Sequence, residues 1–310
     1  MSFAEKCREE LIRIRLHAPN ERLAQLVGLT MTAAGIRLFP KPSVFYQTES
    51  LPVAKHIAQL AQSDYALESV IERKERESRR RALYTVNLSG ADSDRYLSDV
   101  GALCYGEEGV RILSTVGDAV FADEETERAF LRGCFLGGGT CVDPKRSYHV
   151  ELICRVESVA EQVSELLIKR GLHPHKTNRK ERIVVYLKEG DDVAGFLALI
   201  GANTGALSLE TVRVEKDMRN YVNRMSNCET ANLDKQVVAS LKQRAAIRKI
   251  QEHMSLDDLP VSLREAAELR LNYPDATLAE LAEYAGIRKS GMNHRLTRLM
   301  ELANETEGLA

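Results

Sequence analysis

The 310-residue sequence predicts an α+β protein, with a duplicated α/β-sheet domain of pseudo-twofold symmetry followed by an all-α domain. Three observations carry this prediction. Segments such as HVELICRVE alternate apolar and polar residues, which is typical of strands, and other segments carry apolar residues at helical spacing. A series of these segments occurs twice, with Gly28 and Gly133 in equivalent places. The chain after Leu259 contains short helical patterns only.

The bulk composition indicates a soluble protein without a membrane segment. Hydrophobic residues make up 44% of the chain and charged residues 28%, as in ordinary globular domains. No apolar run approaches the ~20 residues that span a bilayer, and the N-terminal MSFAEKCREELIRIRL is amphipathic, unlike a signal peptide. The net charge of −2 means that any nucleic-acid site must be a local patch. We therefore expect a cytoplasmic location.

The cysteines are scattered, without a CxxC pair, which argues against a zinc finger or a disulfide framework. We interpret them as reduced, buried small apolar residues. The six are Cys7, Cys104, Cys134, Cys141, Cys154 and Cys228.

Each repeat begins with an apolar helical pattern that leads into a short strand pattern. The first copy reads ERLAQLVGLTMTAAGIRLF from Glu21, and the second reads ERAFLRGCFLGGGTCVD from Glu127. Pro40-Lys41 in the first copy is echoed by Pro144-Lys145 in the second. Ser50 and Ser158 then stand at equivalent places, and each is a candidate N-cap for the helix that follows.

The remaining elements also occur in pairs. Helical patterns LPVAKHIAQLAQ and VAEQVSELLIKRG are followed by strand patterns in RALYTVNLSG and RIVVYLKEG, then by helical patterns in DRYLSDVGALC and DVAGFLALIG. Each half, about 15–105 and 125–203, thus predicts α-β-β-α-β-β-α. Two such halves related by a pseudo-twofold axis would form two four-stranded antiparallel sheets.

The joining segment predicts helices interrupted by a polar loop. Gly201 and Gly205 are expected to end the preceding helix. A short helix over 212–222 is followed by NRMSNCETANLD, which is rich in capping residues, so we expect Asn232 or Asp234 to start the next helix. Arg224 in this loop is either part of an elaborate cap or a contact to the DNA backbone. The next helix carries a basic face of Lys235, Lys242, Arg244, Arg248 and Lys249.

The C-terminal segment has the pattern of a helix-turn-helix. After a helix that starts at Pro260 and a turn at Pro274-Asp275, Thr277 is placed to cap the helix LAELAEYAG. Ala282 is small where two helices would cross, and Gly286 suits the turn. The final helix then places apolar residues on one face, namely Met292, Leu296 and Leu299.

The opposite face of this final helix is chemically suited to DNA. Arginine and lysine bind guanine or phosphate, and asparagine binds adenine. A solvated basic face on a helical hairpin is the plainer alternative. With Arg224, the candidate DNA-binding residues are Arg288, Lys289, Ser290, Asn293, His294, Arg295 and Arg298.

FLRGCFLGGGT, from Phe130 to Thr140, resembles the LAGLIDADG signature of homing endonucleases. In that family paired helices present acidic residues that hold divalent metal for DNA cleavage. The acidic positions fall here on Ala33 and Gly138, neither of which can bind a metal. The resemblance therefore implies a catalytically degenerate scaffold, not an enzyme, with no catalytic residue, metal or cofactor. Asp143 remains as a candidate displaced ligand.

Two basic hairpins of this domain are further candidates for phosphate contacts, with a solvated surface or a protein contact as the alternatives. Acidic residues dilute both runs. The first hairpin carries Arg73, Lys74, Arg76, Arg79, Arg80 and Arg81, and the second carries Lys176, Arg179, Lys180 and Arg182.

The two parts together resemble the WhiA family of sporulation regulators of Gram-positive bacteria. The resemblance is carried by NRMSNCETANLDK and by LPVSLREAAELRLNYPDATLAELAEYAGIRKSGMNHRLTRL. It implies a LAGLIDADG-like domain over 1–205, a helical linker over 206–255 and a helix-turn-helix domain over 256–304. It also implies a nucleoid-associated transcriptional regulator of sporulation and cell-division genes that binds double-stranded promoter DNA.

Two alternatives stay open. In one, the protein is an adaptor whose N-terminal domain binds a protein partner such as RNA polymerase with a sigma factor. In the other, it is a residual metal-dependent nuclease, against which Ala33 and Gly138 argue.

Overall fold

A computed structural model describes residues 1–37, 42–75, 82–106, 109–112, 116–180 and 182–307. They divide into two units, Met1–Lys216 and Asp217–Ala310. Each unit has its own cluster of buried apolar residues. None of the helices in the described ranges combines the length and the apolar character that crossing a bilayer requires.

The first unit contains the predicted duplication, and its order of elements is confirmed. After α1 (Phe3–Leu11), the first half comprises α2 (Pro19–Ala33), β1 (Ala34–Arg37), β2 (Ser43–Thr48), α3 (Leu51–Tyr65), β3 (Glu68–Lys74), β4 (Leu83–Ser89) and α4 (Ser93–Asp99). The second half comprises α5 (Glu124–Gly138), β7 (Gly139–Cys141), β8 (Val150–Cys154), α6 (Glu157–Lys169), β9 (His175–Arg179), β10 (Arg182–Leu187) and α7 (Gly190–Ile200). Between them lie the hairpin β5 (Leu103–Gly106) and β6 (Gly109–Ile112) and a 3-10 turn, Asp118–Phe121.

The two sheets have the same topology, as a duplication requires. Strands are ordered β1-β2-β4-β3 in one sheet and β7-β8-β10-β9 in the other. All pairs within them are antiparallel. In each half the first helix runs directly into the edge strand, so that α2 is followed by β1 and α5 by β7.

Helices α2 and α5 pack against each other through equivalent glycines. A Cβ on Gly28 would overlap the carbonyl oxygen of Phe130, and a Cβ on Gly133 would overlap that of Gln25. The reciprocity of the two contacts is the local form of the pseudo-twofold symmetry. Only glycine permits two helix backbones to approach this closely.

The two predicted serine caps differ in outcome. Ser50 is the N-cap residue of α3, as predicted, but its hydroxyl makes no capping hydrogen bond and donates instead to the carboxylate of Glu5 at 2.6 Å. In the second half Val156 is the N-cap residue of α6, so Ser158 lies inside the helix. The long-range partner Glu5 and the earlier helix start are not visible from local sequence. The echoed Pro40-Lys41 lies outside the described residues.

Four of the cysteine thiols are buried, as expected, and Cys228 is exposed. Burial raises the pKa of the Cys7 and Cys154 thiols to about 12. These thiols are therefore held in their unreactive protonated form. The side chain of Cys104 lies outside the described set.

The prediction of helices interrupted by a polar loop is also wrong, because α8 runs without a break through Asn203–His253, over 51 residues. Gly201 does end α7 in a left-handed conformation at φ 93°, but Gly205 lies inside α8. Neither Asn232 nor Asp234 caps a helix. The sequence from Ala206 to Leu259 contains no glycine or proline, and exposed asparagine or serine costs a helix less than ~1 kcal/mol.

The second unit adds three helices to the end of α8. They are α9 (Val261–Asn272), α10 (Leu278–Tyr284) and α11 (Lys289–Glu307), after a 3-10 turn at Leu256–Asp258. Its core joins Ile247 and Ile250 of α8 to apolar residues of all three short helices.

Candidate nucleic-acid interface

Helix α10 begins after Thr277, which caps it as predicted, and Glu280 completes a capping box. The hydroxyl of Thr277 accepts a hydrogen bond from the Glu280 amide at 3.2 Å, and the Glu280 carboxylate accepts one from the Thr277 amide at 2.7 Å. The hydrogen bonds with Thr277 lower the pKa of Glu280. Two N–H groups that a helix start leaves without partners are thereby satisfied, which fixes where α10 begins.

The turn after α10 is made by Gly286, which has a φ of 62°. A residue with a Cβ is disfavoured in this left-handed conformation. The Gly286 amide donates to the Glu283 carbonyl at 3.0 Å, and the Ile287 amide donates to the Ala282 carbonyl at 2.9 Å. This turn sets the direction in which α11 leaves.

One face of α11 is anchored in the core of the second unit. Met292, Leu296 and Leu299 are buried, and they belong to the same cluster as Leu281 and Ala282 of α10. Because one face is anchored, the opposite face of α11 projects outward. The predicted helix-turn-helix geometry is therefore present.

The start of α11 brings most of the candidate residues together on its exposed face. Arg288 and Lys289 form no hydrogen bond or ion pair through their side chains with any described residue. Positive charges without a carboxylate partner are available to phosphate or to a base edge. The exposed candidates are Arg288, Lys289, Ser290, Asn293 and His294.

The two later arginines of the set are already engaged. Arg295 is only 21% exposed and donates to the Glu265 carboxylate of α9 at 2.8 Å. Arg298 pairs with Glu301 at 2.9 Å and with Glu305 at 3.2 Å, and these hydrogen bonds raise its pKa. Both charges are partly neutralised within the protein, in contrast to those at the helix start.

Arg224 lies on α8, on a different element from the other candidates. Every residue from 217 to 235 of this helix is exposed. Arg224 therefore sits on a continuous helical surface and not in the loop that the sequence predicted.

Two exposed tyrosines near the turn between α9 and α10 were not predicted from the sequence. The rings of Tyr273 and Tyr284 lie 4.8 Å apart between centroids, and both are about half exposed. They flank the turn that the buried Arg270 holds through a 2.8 Å hydrogen bond to the Ala276 carbonyl. No periodicity links the two tyrosines, since they lie on different sides of that turn.

Half of the described basic residues of the two hairpins are paired with acids. Arg73 pairs with Glu75 at 3.1 Å, Lys176 with Glu157, and Arg179 with Glu151 at 2.7 Å. Residues 76–81, which include four predicted basic positions, lie outside the described part of the chain. Arg182 and Lys180 form no ion pair with a described residue.

The degenerate LAGLIDADG positions lie at the C-terminal ends of α2 and α5. Ala33 is buried, and a Cβ on Gly138 would lie 2.7 Å from the carbonyl oxygen of Ile153. An acidic side chain at 138 would require β8 to move. Asp143 lies in the following turn, where its carboxylate accepts a hydrogen bond from the Lys145 amide at 2.9 Å.

Comparison with known proteins identifies both parts of the chain. Residues 222–303 match the model of the WhiA C-terminal HTH domain, and residues 127–219 match that of the WhiA LAGLIDADG-like domain. A probable cell division protein WhiA from Clostridium novyi is 36% identical over 315 residues, covering 98% of each chain. The chain belongs to the WhiA family. A second WhiA, from Heliobacterium modesticaldum, is 37% identical and covers 98% of this chain and 96% of its own length.

The fold of a solved WhiA agrees with this assignment. The full-length DUF199/WhiA from Thermatoga maritima matches with a TM-score of 0.62 at 21% identity, covering 98% of this chain and 99% of that one. The helix-turn-helix of the C-terminal domain indicates DNA binding, and alanine and glycine stand at the two acidic positions of the LAGLIDADG signature.

Proposed function

We propose that this protein is a sequence-specific transcriptional regulator of cell-division and sporulation genes, and that it reads promoter DNA with α11. The observation that carries the proposal is the exposed cationic start of α11, which pairs with no acid of the described residues, in a helix-turn-helix whose other face is buried. In this motif the first residues of the second helix contact base edges. Relatives named as probable cell division proteins support the choice of target genes.

The candidate residues divide into two roles. Lys289, Ser290, Asn293 and His294 lie where base edges would be read, and Arg288 suits a phosphate beside them. Arg295 and Arg298 hold α11 through their acidic partners and contact phosphate only at its margin. Arg224, on α8, contributes a backbone contact.

The domain boundaries follow the same division of labour. We infer a LAGLIDADG-like domain over 1–205, a linker over 206–255 that lies in α8 up to His253, and a DNA-binding domain over 256–304.

Fluorescence anisotropy with a labelled fragment from the gene's own upstream region tests the proposal. We expect selective binding in the presence of unrelated competitor DNA. Lys289→Ala/Asn293→Ala should weaken it by roughly 1–3 kcal/mol for each base that is no longer read. The control, Lys55→Ala/Lys188→Ala, changes two exposed side chains of the first unit and should leave binding unchanged. Equal binding by the first variant and wild type would refute the role of α11.

The adaptor hypothesis is favoured by the ion pairs that basic residues of the hairpins in the first unit form with nearby acids. Arg73, Lys176 and Arg179 direct their charge at neighbouring acids, which reduces what they offer to phosphate. We infer that this surface contacts a protein such as RNA polymerase with its sigma factor. Co-purification of polymerase with wild type, and its loss when the exposed Val70 of β3 becomes aspartate, would support that contact.

A further inference from the structure

A cavity of about 770 Å³ opens at the place where α2 and α5 end against the two sheets. Ala33 and Gly138, the positions of the lost acids, both line it. The surrounding wall is polar and includes Thr32, Thr48 and Thr140. A cavity of this size is in the range that holds small ligands.

A row of arginines crosses the end of the second sheet at this cavity. The register pairs Ile183 with Cys154 and Arg182 with Arg179. Continued by one residue, it sets Arg155 beside Arg182, so that three arginines lie side by side on neighbouring strands. Two of them, Arg155 and Arg182, line the cavity.

The row has fewer acids than bases. Arg179 forms an ion pair with Glu151 at 2.7 Å. Arg155 donates to the carbonyl of Ala34, and Arg182 has no hydrogen bond or ion pair with a described residue. Burial, and then the charge of Arg182, lower the pKa of Arg155. Two neighbouring guanidinium groups repel each other unless an anion lies between them.

Opposing charges around the cavity are limited. Among the lining residues, Glu49 carries the carboxylate, and a third arginine, Arg8, also lines the cavity. Arg8 pairs with Glu5 at 3.3 Å and donates to the Gly139 carbonyl at 2.5 Å. The C-terminal ends of α2 and α5 add partial negative charge. Arg155 and Arg8 each bond a carbonyl at one of these ends, so that guanidinium groups line the same cavity as Ala33 and Gly138.

We propose that this cavity is a phosphate-binding site in which Arg155 and Arg182 hold one phosphoryl group without a metal ion. A guanidinium presents five N–H donors in a planar fork that matches phosphate oxygens, and the bonds described above leave most of them free. The phosphoryl group belongs either to the DNA backbone or to a soluble nucleotide. The site does not depend on the role of α11.

Calorimetric titration of the full chain with inorganic pyrophosphate and with ATP tests the soluble source. The pocket variant is Arg155→Gln/Arg182→Gln. The control, Lys55→Gln/Lys188→Gln, removes two charges from exposed residues that do not line the cavity. We expect at least a tenfold increase in Kd for the pocket variant and none for the control.

Salt-dependent binding of a duplex tests the DNA source. If the phosphoryl group is a backbone phosphate, the slope of log K against log salt should become shallower in the pocket variant by about 0.9, the amount for one phosphate. The control should keep the wild-type slope. Because α11 is intact in both variants, its contribution cancels in this comparison.

The proposal is overturned if the pocket variant matches the control in both titrations. Arg182→Gln alone guards against misfolding, since Arg182 bonds no described residue and its loss should leave the melting temperature unchanged. This single variant should still weaken binding several-fold, and wild-type affinity for both ligands would likewise overturn the proposal.

Discussion

At the scale of single residues, the close contact between the two halves depends on glycine. Gly28 and Gly133 each face a backbone carbonyl of the opposite helix, where a Cβ has no space. A flexible side chain can move aside, but a helix backbone cannot move without disturbing everything packed on it. These two positions therefore tolerate substitution less than most buried apolar positions do.

Gly133→Ala is expected to destabilise the first unit by about 3 kcal/mol, at the upper end of the usual cost of overpacking. Gly117→Ala is the matched control, because Gly117 has a φ of −69° and no atom within 4 Å of a built Cβ. Urea denaturation measures both. Similar midpoints for the two variants would show that α2 and α5 do not approach as closely as described.

A half-buried histidine, His56, makes the stability of the same unit depend on pH. Burial and the charge of Arg132 lower the pKa of His56 to about 4, from an ordinary value of 6.5. The neutral imidazole is hydrogen-bonded to Gln25 at 3.4 Å. Its stabilisation is complete above pH 6.5 and is lost as the pH falls from there to about 4, because the unfolded chain takes up the proton first.

This loss amounts to at most about 3.5 kcal/mol, at about 1.4 kcal/mol per pKa unit. His56→Asn keeps a polar partner for Gln25 but cannot titrate. Its free energy of unfolding, measured by urea denaturation between about pH 6.5 and 4.5, should vary less with pH than that of wild type. Parallel curves for the two proteins would contradict the assignment.

At the scale of elements, α8 shows how weak local preferences add up. Asparagine and serine between Asn223 and Asn232 favour caps and turns, yet helix continues through them because nothing interrupts the backbone hydrogen bonds. The apolar face of the helix changes along its length, and the stretch from 217 to 235 is exposed all round. Its helical state therefore rests on propensity and on anchoring at both ends.

Spin labels at positions 220 and 232 should lie about 18 Å apart along the helix axis, from a rise of about 1.5 Å per residue. We expect double electron-electron resonance to give a narrow distribution of distances between the two labels. Labels at 236 and 248, where the sequence and the structure agree on helix, provide the reference distribution. A broad distribution for the first pair alone would restore the loop that the sequence predicted.

At the scale of the whole molecule, the two units have separate cores. The first core is built from both halves of the duplication, and the second from the end of α8 with α9, α10 and α11. Separate cores allow the units to lose structure independently. The first unit carries the glycine contacts between its two long helices, whereas the second unit contains the helix-turn-helix.

Calorimetry should therefore show two unfolding transitions. Leu296→Ala removes a fully buried side chain of the second core and should destabilise the second unit by about 2–5 kcal/mol. The transition of that unit should therefore move to a lower temperature. Gly133→Ala should lower only the other. A single transition that both variants shift would mean that the units unfold together.

The sequence alone determined the duplication, the order of strands and helices in each half, and the helix-turn-helix with its cap at Thr277 and its turn at Gly286. These features are written in residues close together in the chain, through periodicity, capping and the conformational freedom of glycine. The polar loop predicted within α8 is wrong for a reason that also lies in the local sequence. The capping preference of asparagine predicts a break, whereas the absence of glycine and proline lets the helix continue.

Only the tertiary structure decided how the charges are used. It paired Arg295 with Glu265 on another helix, left Lys289 unpaired among the described residues, and aligned Arg155 with Arg182 on neighbouring strands. Arg295, Lys289, Arg155 and Arg182 are all basic in the sequence. Nothing in their local sequence shows which of them has an acidic partner. Electrostatic pairing depends on distances of a few ångströms between residues far apart in the chain, and packing alone sets those distances.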